Sequence, residues 1–141
     1  MANEVELTGS CMCGAVKIVA TAHKPSVAAC HCNMCRQWSS GPFMGVNCKN
    51  AEFEGEENIS KIRSSDWAER GFCTKCGSNL FYHITDSNNF QIAAGLFDDQ
   101  SKLRMSLQVF TDEKPDFYEF SNETRMMTGA EVVAAFTPSQ D

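Results

Sequence analysis

Seven of the eight cysteines in this chain of 141 residues lie in three short clusters, and this spacing constrains the fold more than any other feature. The densest cluster is Cys30-His31-Cys32-Asn33-Met34-Cys35-Arg36, with three thiols within six residues. In an extended segment the first two thiols point to one side and His31 to the other. A helix that starts at Asn33 then turns the third thiol towards them. Converging thiols bind soft metals, and zinc is the expected occupant because it suits thiolate ligands and brings no redox chemistry.

Two further cysteine pairs are each followed directly by a glycine. They are Cys11-Met12-Cys13-Gly14 and Cys73-Thr74-Lys75-Cys76-Gly77, about 60 residues apart. Glycine can adopt the positive φ that a tight metal-binding turn often needs. One such pair is weak evidence, but two pairs together predict a four-thiolate zinc site. We expect this site to be structural, so that its binding energy contributes to folding.

The remaining cysteine, Cys48, decides between two kinds of second zinc site. The cluster Cys30, Cys32 and Cys35 supplies three ligands, whereas a structural zinc has four protein ligands and a catalytic zinc keeps one position for water or substrate. We prefer to interpret Cys48 as a small buried apolar residue at the end of a strand. In the alternative, it is the fourth ligand and the chain is a non-catalytic zinc-binding module for protein interaction. Distance along the chain leaves both open.

Composition and charge exclude several other classes of protein. With 43% hydrophobic and 21% charged residues, the chain is expected to form one domain over residues 1–141. The net charge of −6 disfavours nucleic acid as a partner. No apolar run approaches membrane-spanning length, and the polar, acidic N-terminus differs from a secretion signal. We therefore predict a cytoplasmic protein with reduced thiols rather than a disulfide framework, and no particular oligomeric state.

Short β-branched and aromatic segments recur about every ten residues, with turn residues between them, and predict a mainly β fold of antiparallel strands. One helix is expected from Asn33, its cap, to Trp38. A second is expected up to Phe136, because Thr128 and Glu131 have capping-box spacing. Residues 22–26 are predicted as a turn. The predicted strands are 4–7, 15–20, 43–48, 51–55, 59–64, 80–84, 90–94, 107–110 and 117–120.

Three segments together resemble a known family. They are Gly9-Ser10-Cys11-Met12-Cys13-Gly14-Ala15-Val16, Cys30-His31-Cys32-Asn33-Met34-Cys35-Arg36 and Arg70-Gly71-Phe72-Cys73-Thr74-Lys75-Cys76-Gly77-Ser78-Asn79-Leu80. The chain resembles the glutathione-dependent formaldehyde-activating enzyme family, which also includes the centromere protein V type domain. The resemblance runs from about Leu7 to Phe120 and leaves 121–141 as a C-terminal extension. It implies an Mss4-like β-tent of antiparallel sheets. It also implies two zinc ions, a structural one on Cys11, Cys13, Cys73 and Cys76 and a catalytic one on Cys30, Cys32 and Cys35.

The resemblance also implies an activity and a substrate. The family's name-giving reaction joins glutathione to formaldehyde as S-(hydroxymethyl)glutathione, formally the reaction of a carbon–sulfur lyase. A zinc ion with three thiolates is a weak Lewis acid, so we favour activation of the substrate thiol over polarisation of the aldehyde. Two positions depart from the family pattern. Gln108 stands where many relatives carry a histidine, and Asp116 separates Pro115 from Phe117 and Tyr118.

Two arginines near the cysteine clusters are candidate substrate-binding residues, since glutathione carries two carboxylates. Arg36 directly follows the third cysteine of the dense cluster, and it could alternatively offset the charge of the thiolates. Arg70 is expected on a loop, where an exposed arginine is the simpler interpretation. His31 is expected to face away from the metal and to support the ligands or pack in the core, with proton transfer as the less favoured alternative. The aromatic residues that could line a pocket, although core positions are expected, are Trp38, Phe43 and Trp67.

Overall fold

This computed structural model describes residues 4–136. They form a mixed sheet of nine strands with two short helices and the turns that connect them. The strands are β1 (Val5–Ser10), β2 (Lys17–Cys30), β3 (Phe43–Glu54), β4 (Ile59–Arg63), β5 (Ala68–Cys73), β6 (Asn79–Ile84), β7 (Phe90–Ala93), β8 (Arg104–Val109) and β9 (Arg125–Met127). The helices are α1 (Asn33–Ser39) and α2 (Gly129–Phe136), and short 3-10 turns cover Glu56–Asn58, Ala94–Leu96 and Thr111–Glu113. The prediction of a mainly β fold with short helices is confirmed.

The strand order of the sheet is β4-β5-β6-β7-β3-β2-β8-β9, and β1 pairs with β2 outside this path. Most neighbours are antiparallel, but β8 runs parallel to both β2 and β9. The expectation of purely antiparallel sheets was therefore wrong in this part of the fold. Parallel neighbours need a crossover connection, and the apolar pattern within one strand does not reveal the direction of its partner.

Several individual elements differ from the sequence-based predictions. β2 continues through the predicted turn at 22–26, and register shifts against β3 between Val19 and Thr21 and between Ala22 and Val27 accommodate the irregular segment. The strands predicted at 43–48 and 51–55 are one strand, β3. Residues 117–120 form no strand, whereas β5 and β9 were not predicted.

The elements with the strongest local signals were predicted correctly. The hairpin of β6 and β7 is confirmed, with Tyr82 opposite Gln91. Helix α2 begins with the predicted capping box, in which the Glu131 backbone N–H donates to Thr128 Oγ1 and the Thr128 N–H donates to Glu131 Oε1. Both elements depend on contacts within a few residues, which a sequence pattern shows directly.

One apolar core draws side chains from β1, β2, β3, β5, β6 and β7. The largest fully buried side chain, Phe81, packs against Phe53 and Phe90 with ring centroids 5.2 and 5.3 Å away. Cys48 belongs to this core and is fully buried. Within residues 4–136, no helix combines the length and the apolar character needed to cross a membrane.

Candidate metal centres

The cysteines of the two pairs form one four-sulfur group. Cys11 and Cys13 lie in the turn after β1, Cys73 ends β5, and Cys76 lies in the turn before β6. Their four sulfur atoms all lie within 4.8 Å of one another. Cys13 Sγ is 3.7 Å from Cys11 Sγ and 3.8 Å from Cys73 Sγ. Zn–S bonds of about 2.3 Å in a tetrahedron place neighbouring sulfurs about 3.8 Å apart, so these residues fit a zinc ion.

Backbone hydrogen bonds shape the two turns that carry this group. The Gly14 N–H donates to the Cys11 carbonyl at 3.1 Å, and the Gly77 N–H donates to the Cys73 carbonyl at 2.8 Å. Gly14 and Gly77 have φ values of 81° and 79°, as their positions after the cysteine pairs predicted. The hydrogen bond spans three residues in the first turn and four in the second, but both turns have glycine at a position of positive φ, where a Cβ atom would be strained.

Ser78 connects the two turns and stabilises one thiolate. Its Oγ accepts the Met12 N–H at 3.1 Å and lies 3.2 Å from Cys76 Sγ. The hydrogen bond from the Ser78 side chain, followed by its backbone N–H, lowers the pKa of the Cys76 thiol to about 5. A thiol with such a low pKa is in the form that binds metal.

The dense cluster forms a second group of three sulfurs, all within 4.8 Å of one another. Cys30 is the last residue of β2 and lies between Phe43 of β3 and Val109 of β8. The extended Cys32, with φ −65° and ψ 158°, caps α1, because its Sγ accepts the Cys35 N–H at 3.4 Å. The prediction that Asn33 caps this helix was wrong. The expected extended segment followed by a helical turn is nevertheless what brings the three sulfurs together.

Contacts among these thiols concentrate negative charge on Cys32. Hydrogen bonds from the Cys30 and then the Cys35 thiol lower the pKa of Cys32, and the contact with Cys32 raises the pKa of Cys30. No other Cys, His, Asp or Glu of residues 4–136 joins this group. Cys48 lies in the core between Ala22 and Phe90, where burial raises its pKa to about 12. The three-sulfur group therefore lacks the fourth ligand that the alternative interpretation required.

Arg70 contacts the three-sulfur group from β5. Its side chain is 2% exposed, so the expectation of an exposed arginine on a loop was wrong. Its Nη1 donates to Cys35 Sγ at 3.4 Å, and its Cζ lies 5.1 and 5.0 Å from the ring centroids of Trp38 and Tyr82. The Trp67 Nε1–H donates to the Tyr82 hydroxyl at 3.2 Å. Sequence reasoning missed Tyr82, because its position opposite Arg70 depends on the pairing of β6 with β5, a strand that was not predicted.

His31 points away from the sulfurs, as expected, and is fully buried. Its Nε2 is 2.9 Å from Gln108 Oε1, and its Nδ1 is 2.7 Å from the Tyr118 hydroxyl. The Gln108 amide nitrogen donates to Thr124 Oγ1, which leaves its oxygen to accept from Nε2–H and assigns the Tyr118 hydroxyl as donor to Nδ1. Burial lowers the pKa of His31, so the ring is neutral. Gln108 thus anchors this ring, while Tyr118 and Thr124 were not predicted as partners.

Arg36 lies in α1 and is partly buried. Its Nε donates to the His31 carbonyl at 2.9 Å, so the side chain folds back over the metal-binding segment. Together with Gln37, Ser40, Gly41 and Phe117 it lines an open cavity of about 220 Å³. A larger open cavity of about 480 Å³ lies over β1, β2 and β3, and no cysteine lines either cavity. The smaller cavity is therefore the one associated with a predicted substrate-binding residue.

The model of the family described as glutathione-dependent formaldehyde-activating enzyme matches residues 6–113. This chain belongs to the glutathione-dependent formaldehyde-activating enzyme family. The matched region contains both cysteine groups, Arg36, Arg70 and Gln108. Tyr118 and Thr124, which complete the contacts around His31, follow it.

Two curated proteins and one solved structure are similar to this chain. A Schizosaccharomyces pombe protein named as an uncharacterized lyase is 40% identical over 130 residues, which cover 91% of this chain and 95% of the relative. A Halomonas elongata protein, whose provisional name is glutathione-dependent formaldehyde-activating enzyme, is 25% identical over 82% of each chain. A crystal structure of a Rhodobacter sphaeroides protein is similar with a TM-score of 0.57 and 19% identity, covering 65% of this chain and 88% of that one. This last likeness shows the fold alone.

Proposed function

We propose that this protein is a zinc-dependent carbon–sulfur lyase that acts on a thiol–aldehyde adduct. The proposed reaction is the formation of S-(hydroxymethyl)glutathione from glutathione and formaldehyde, or that of a related thiol adduct. The observation that carries the proposal is the group of three converging sulfurs without a fourth Cys, His, Asp or Glu among residues 4–136. Family membership and the names of the two curated relatives, a lyase and a glutathione-dependent formaldehyde-activating enzyme, support the class of reaction.

Each cysteine group has its own role in this proposal. Cys11, Cys13, Cys73 and Cys76 would hold a structural zinc. Cys30, Cys32 and Cys35 would hold the catalytic zinc, which when bound supplies an open position that lowers the pKa of an incoming thiol. Because the ligands must be reduced thiols, we propose the cytoplasm as the location of the protein.

The reaction adds a thiol across a carbonyl group. A C–S bond forms, the C=O π bond breaks, and the proton of the thiol ends on the new hydroxyl. His31 does not carry this proton, because its ring is buried and both nitrogens are engaged by Gln108 and Tyr118. In this proposal the protein binds and orients the thiol, and solvent takes up and returns the proton.

Arg36 is the proposed partner for a carboxylate of the substrate. It lies one residue after a proposed metal ligand, and its cavity of about 220 Å³ also offers the polar side chains of Gln37 and Ser40. Only its Nε is used in the contact with the His31 carbonyl. A guanidinium group binds a carboxylate through two parallel N–H groups, which the two terminal nitrogens can supply.

Exchange spectroscopy by NMR tests the reaction directly. In a mixture of glutathione and formaldehyde, the zinc-loaded protein at micromolar concentration should accelerate exchange between free glutathione and its hydroxymethyl adduct. Cys32→Ser should abolish the acceleration, and the matched variant Cys48→Ala should retain it. Exchange at the uncatalysed rate with a protein that holds two zinc ions would contradict catalysis and favour a module that only binds zinc.

A further inference from the structure

Arg70 is a buried cation without a carboxylate partner among residues 4–136. Its side chain is 2% exposed, and none of the ion pairs among residues 4–136 includes it. Burying a charge is unfavourable unless an opposite charge or a set of hydrogen bonds compensates it. The group that Arg70 does contact is Cys35, through the Nη1–H···Sγ hydrogen bond of 3.4 Å. The anionic thiolates of the three-sulfur group are therefore the natural counter-charge for this guanidinium.

Two aromatic rings pack against the same guanidinium group. Trp38 of α1 and Tyr82 of β6 each lie about 5 Å from its Cζ, within the range of cation–π contacts. Tyr82 is held in turn by the Trp67 indole N–H. The Arg70 Nε is buried and makes no hydrogen bond within the described part of the chain, so the aromatic rings and the sulfur are what hold the side chain. Such a side chain cannot turn towards a substrate without leaving Cys35.

We propose that Arg70 is a positioning residue of the three-cysteine metal site, and that it does not bind a substrate carboxylate. It holds Cys35 Sγ in place and offsets the charge of −1 that three thiolates and one divalent zinc ion leave. The site can then accept the thiolate of a substrate with less repulsion, because the added negative charge faces a fixed cation. This inference rests on the proposed zinc at Cys30, Cys32 and Cys35, and its test does not depend on turnover.

Zinc affinity, measured by competition with a chelator, separates this role from a merely structural one. Partners of metal ligands typically change metal affinity by about 10- to 100-fold. We expect Arg70→Gln to weaken zinc binding at the three-cysteine site by about that factor, with the four-cysteine site unchanged. Cys32→Ser, which keeps only the four-cysteine site, identifies the affinity of that site. Arg63→Gln is the matched control, because Arg63 is an exposed arginine on the neighbouring strand β4, and it should behave as wild type.

Cobalt substitution gives a second readout of the contact with Cys35. In the Co²⁺-loaded protein, Arg70→Gln should shift the sulfur-to-cobalt charge-transfer absorption of the three-cysteine site. Arg70→Lys keeps the charge but not the planar fork, so it should restore part of the zinc affinity while the absorption stays shifted. Wild-type zinc affinity together with an unshifted spectrum in Arg70→Gln would overturn the inference.

Two further outcomes are also decisive. Should Arg70→Gln fail to fold, an unshifted cobalt spectrum in Arg70→Lys would overturn the inference and a shifted one would support it. A wild-type protein that binds only one zinc ion would overturn both this inference and the proposed function. Two zinc ions in wild type with no effect of Arg70 would overturn this inference alone.

Discussion

Cys32 combines two tasks in one side chain, since its sulfur caps α1 and belongs to the three-sulfur group. A cysteine at the start of a helix gains from the backbone N–H groups there, which stabilise negative charge. The low pKa of this thiol, which follows from its contacts with Cys30 and then Cys35, serves the same end. The start of α1 and the three-sulfur group therefore share the Cys32 side chain, and the spacing of the cysteines determines both.

Cys32→Ser should reduce the zinc content from two ions to one while leaving the fold intact. Serine is a good helix cap, so the variant removes a metal ligand and keeps the start of α1. Zinc analysis of the purified protein, with circular dichroism as the check on folding, measures this. Cys48→Ala should keep two zinc ions, because Cys48 lies in the core, and a loss of zinc in that variant would contradict our assignment of the ligands.

Arg36→Gln should raise KM for glutathione about tenfold with a smaller effect on kcat. The reason is the loss of one charge-assisted contact to a substrate carboxylate, worth about 1.5 kcal/mol or somewhat more. Steady-state kinetics measure this, and unchanged zinc content shows that loss of the contact with the His31 carbonyl has not disturbed the metal sites. Arg104→Gln is the control, since Arg104 is exposed and lies outside the small cavity. Equal KM values in the two variants would argue against carboxylate binding by Arg36.

At the scale of elements, β5 links the two cysteine groups. It carries Arg70, which contacts Cys35, and ends at Cys73, a member of the four-sulfur group. Its pairing with β6 contains a register shift, after which both Leu80 and Phe81 are buried. Gly71, which lies in β5 between Arg70 and Cys73, is a glycine for a steric reason. A Cβ atom on Gly71 would lie 2.4 Å from Phe81 Cζ.

Gly71→Ala should destabilise the protein by about 1–3 kcal/mol, the usual cost of overpacking a core. The added methyl group must displace the Phe81 ring, which packs against two other phenylalanines. Denaturant unfolding measures the change. Gly95→Ala is the matched control, because a Cβ atom there meets no atom of residues 4–136 within 4 Å, and it should be close to neutral.

Thr128→Ala should lower the free energy of unfolding by about 1 kcal/mol, the typical cost of losing a helix cap. The variant removes the acceptor of the Glu131 N–H at the start of α2. Thr128→Ser, which keeps the hydroxyl, should retain most of the stability in the same denaturant titration. If alanine and serine are equivalent at this position, the capping box contributes little in this protein.

At the scale of the whole molecule, the four-sulfur group connects the turn after β1 to the turn between β5 and β6. A metal ion there closes a loop of about 60 residues, and its binding free energy becomes part of the stability of the fold. The three-sulfur group lies elsewhere, at the junction of β2 and α1. We therefore expect a metal ion in the four-sulfur group to contribute more to the free energy of unfolding than one in the three-sulfur group.

Acid should release zinc and destabilise the protein, because the ligands bind as thiolates. The pKa of the Cys76 thiol is lowered to about 5 in the folded protein, against about 8.5 in an unfolded chain. The stabilisation is thus fully present above about pH 8.5 and is lost as the pH falls through about 5, or lower with metal bound. Thermal unfolding against pH, with a chelator-treated sample beside it, measures this. A melting temperature that is the same with and without zinc would contradict a structural metal.

By itself, the sequence determined the elements that depend on neighbours along the chain. The cysteine spacings predicted both sulfur groups and the glycines of positive φ, and local patterns predicted the β6–β7 hairpin and α2. Ligand spacing and capping boxes act over a few residues, so a linear pattern contains them.

Only the tertiary structure decided which distant groups meet. It placed Cys48 in the core, turned β8 parallel to β2, and brought Arg70 against Cys35 and Tyr118 against His31. These contacts join residues 26 to 87 positions apart. They depend on strand order and on what each side chain must bury or pair, which the spacing of residues along a chain does not specify.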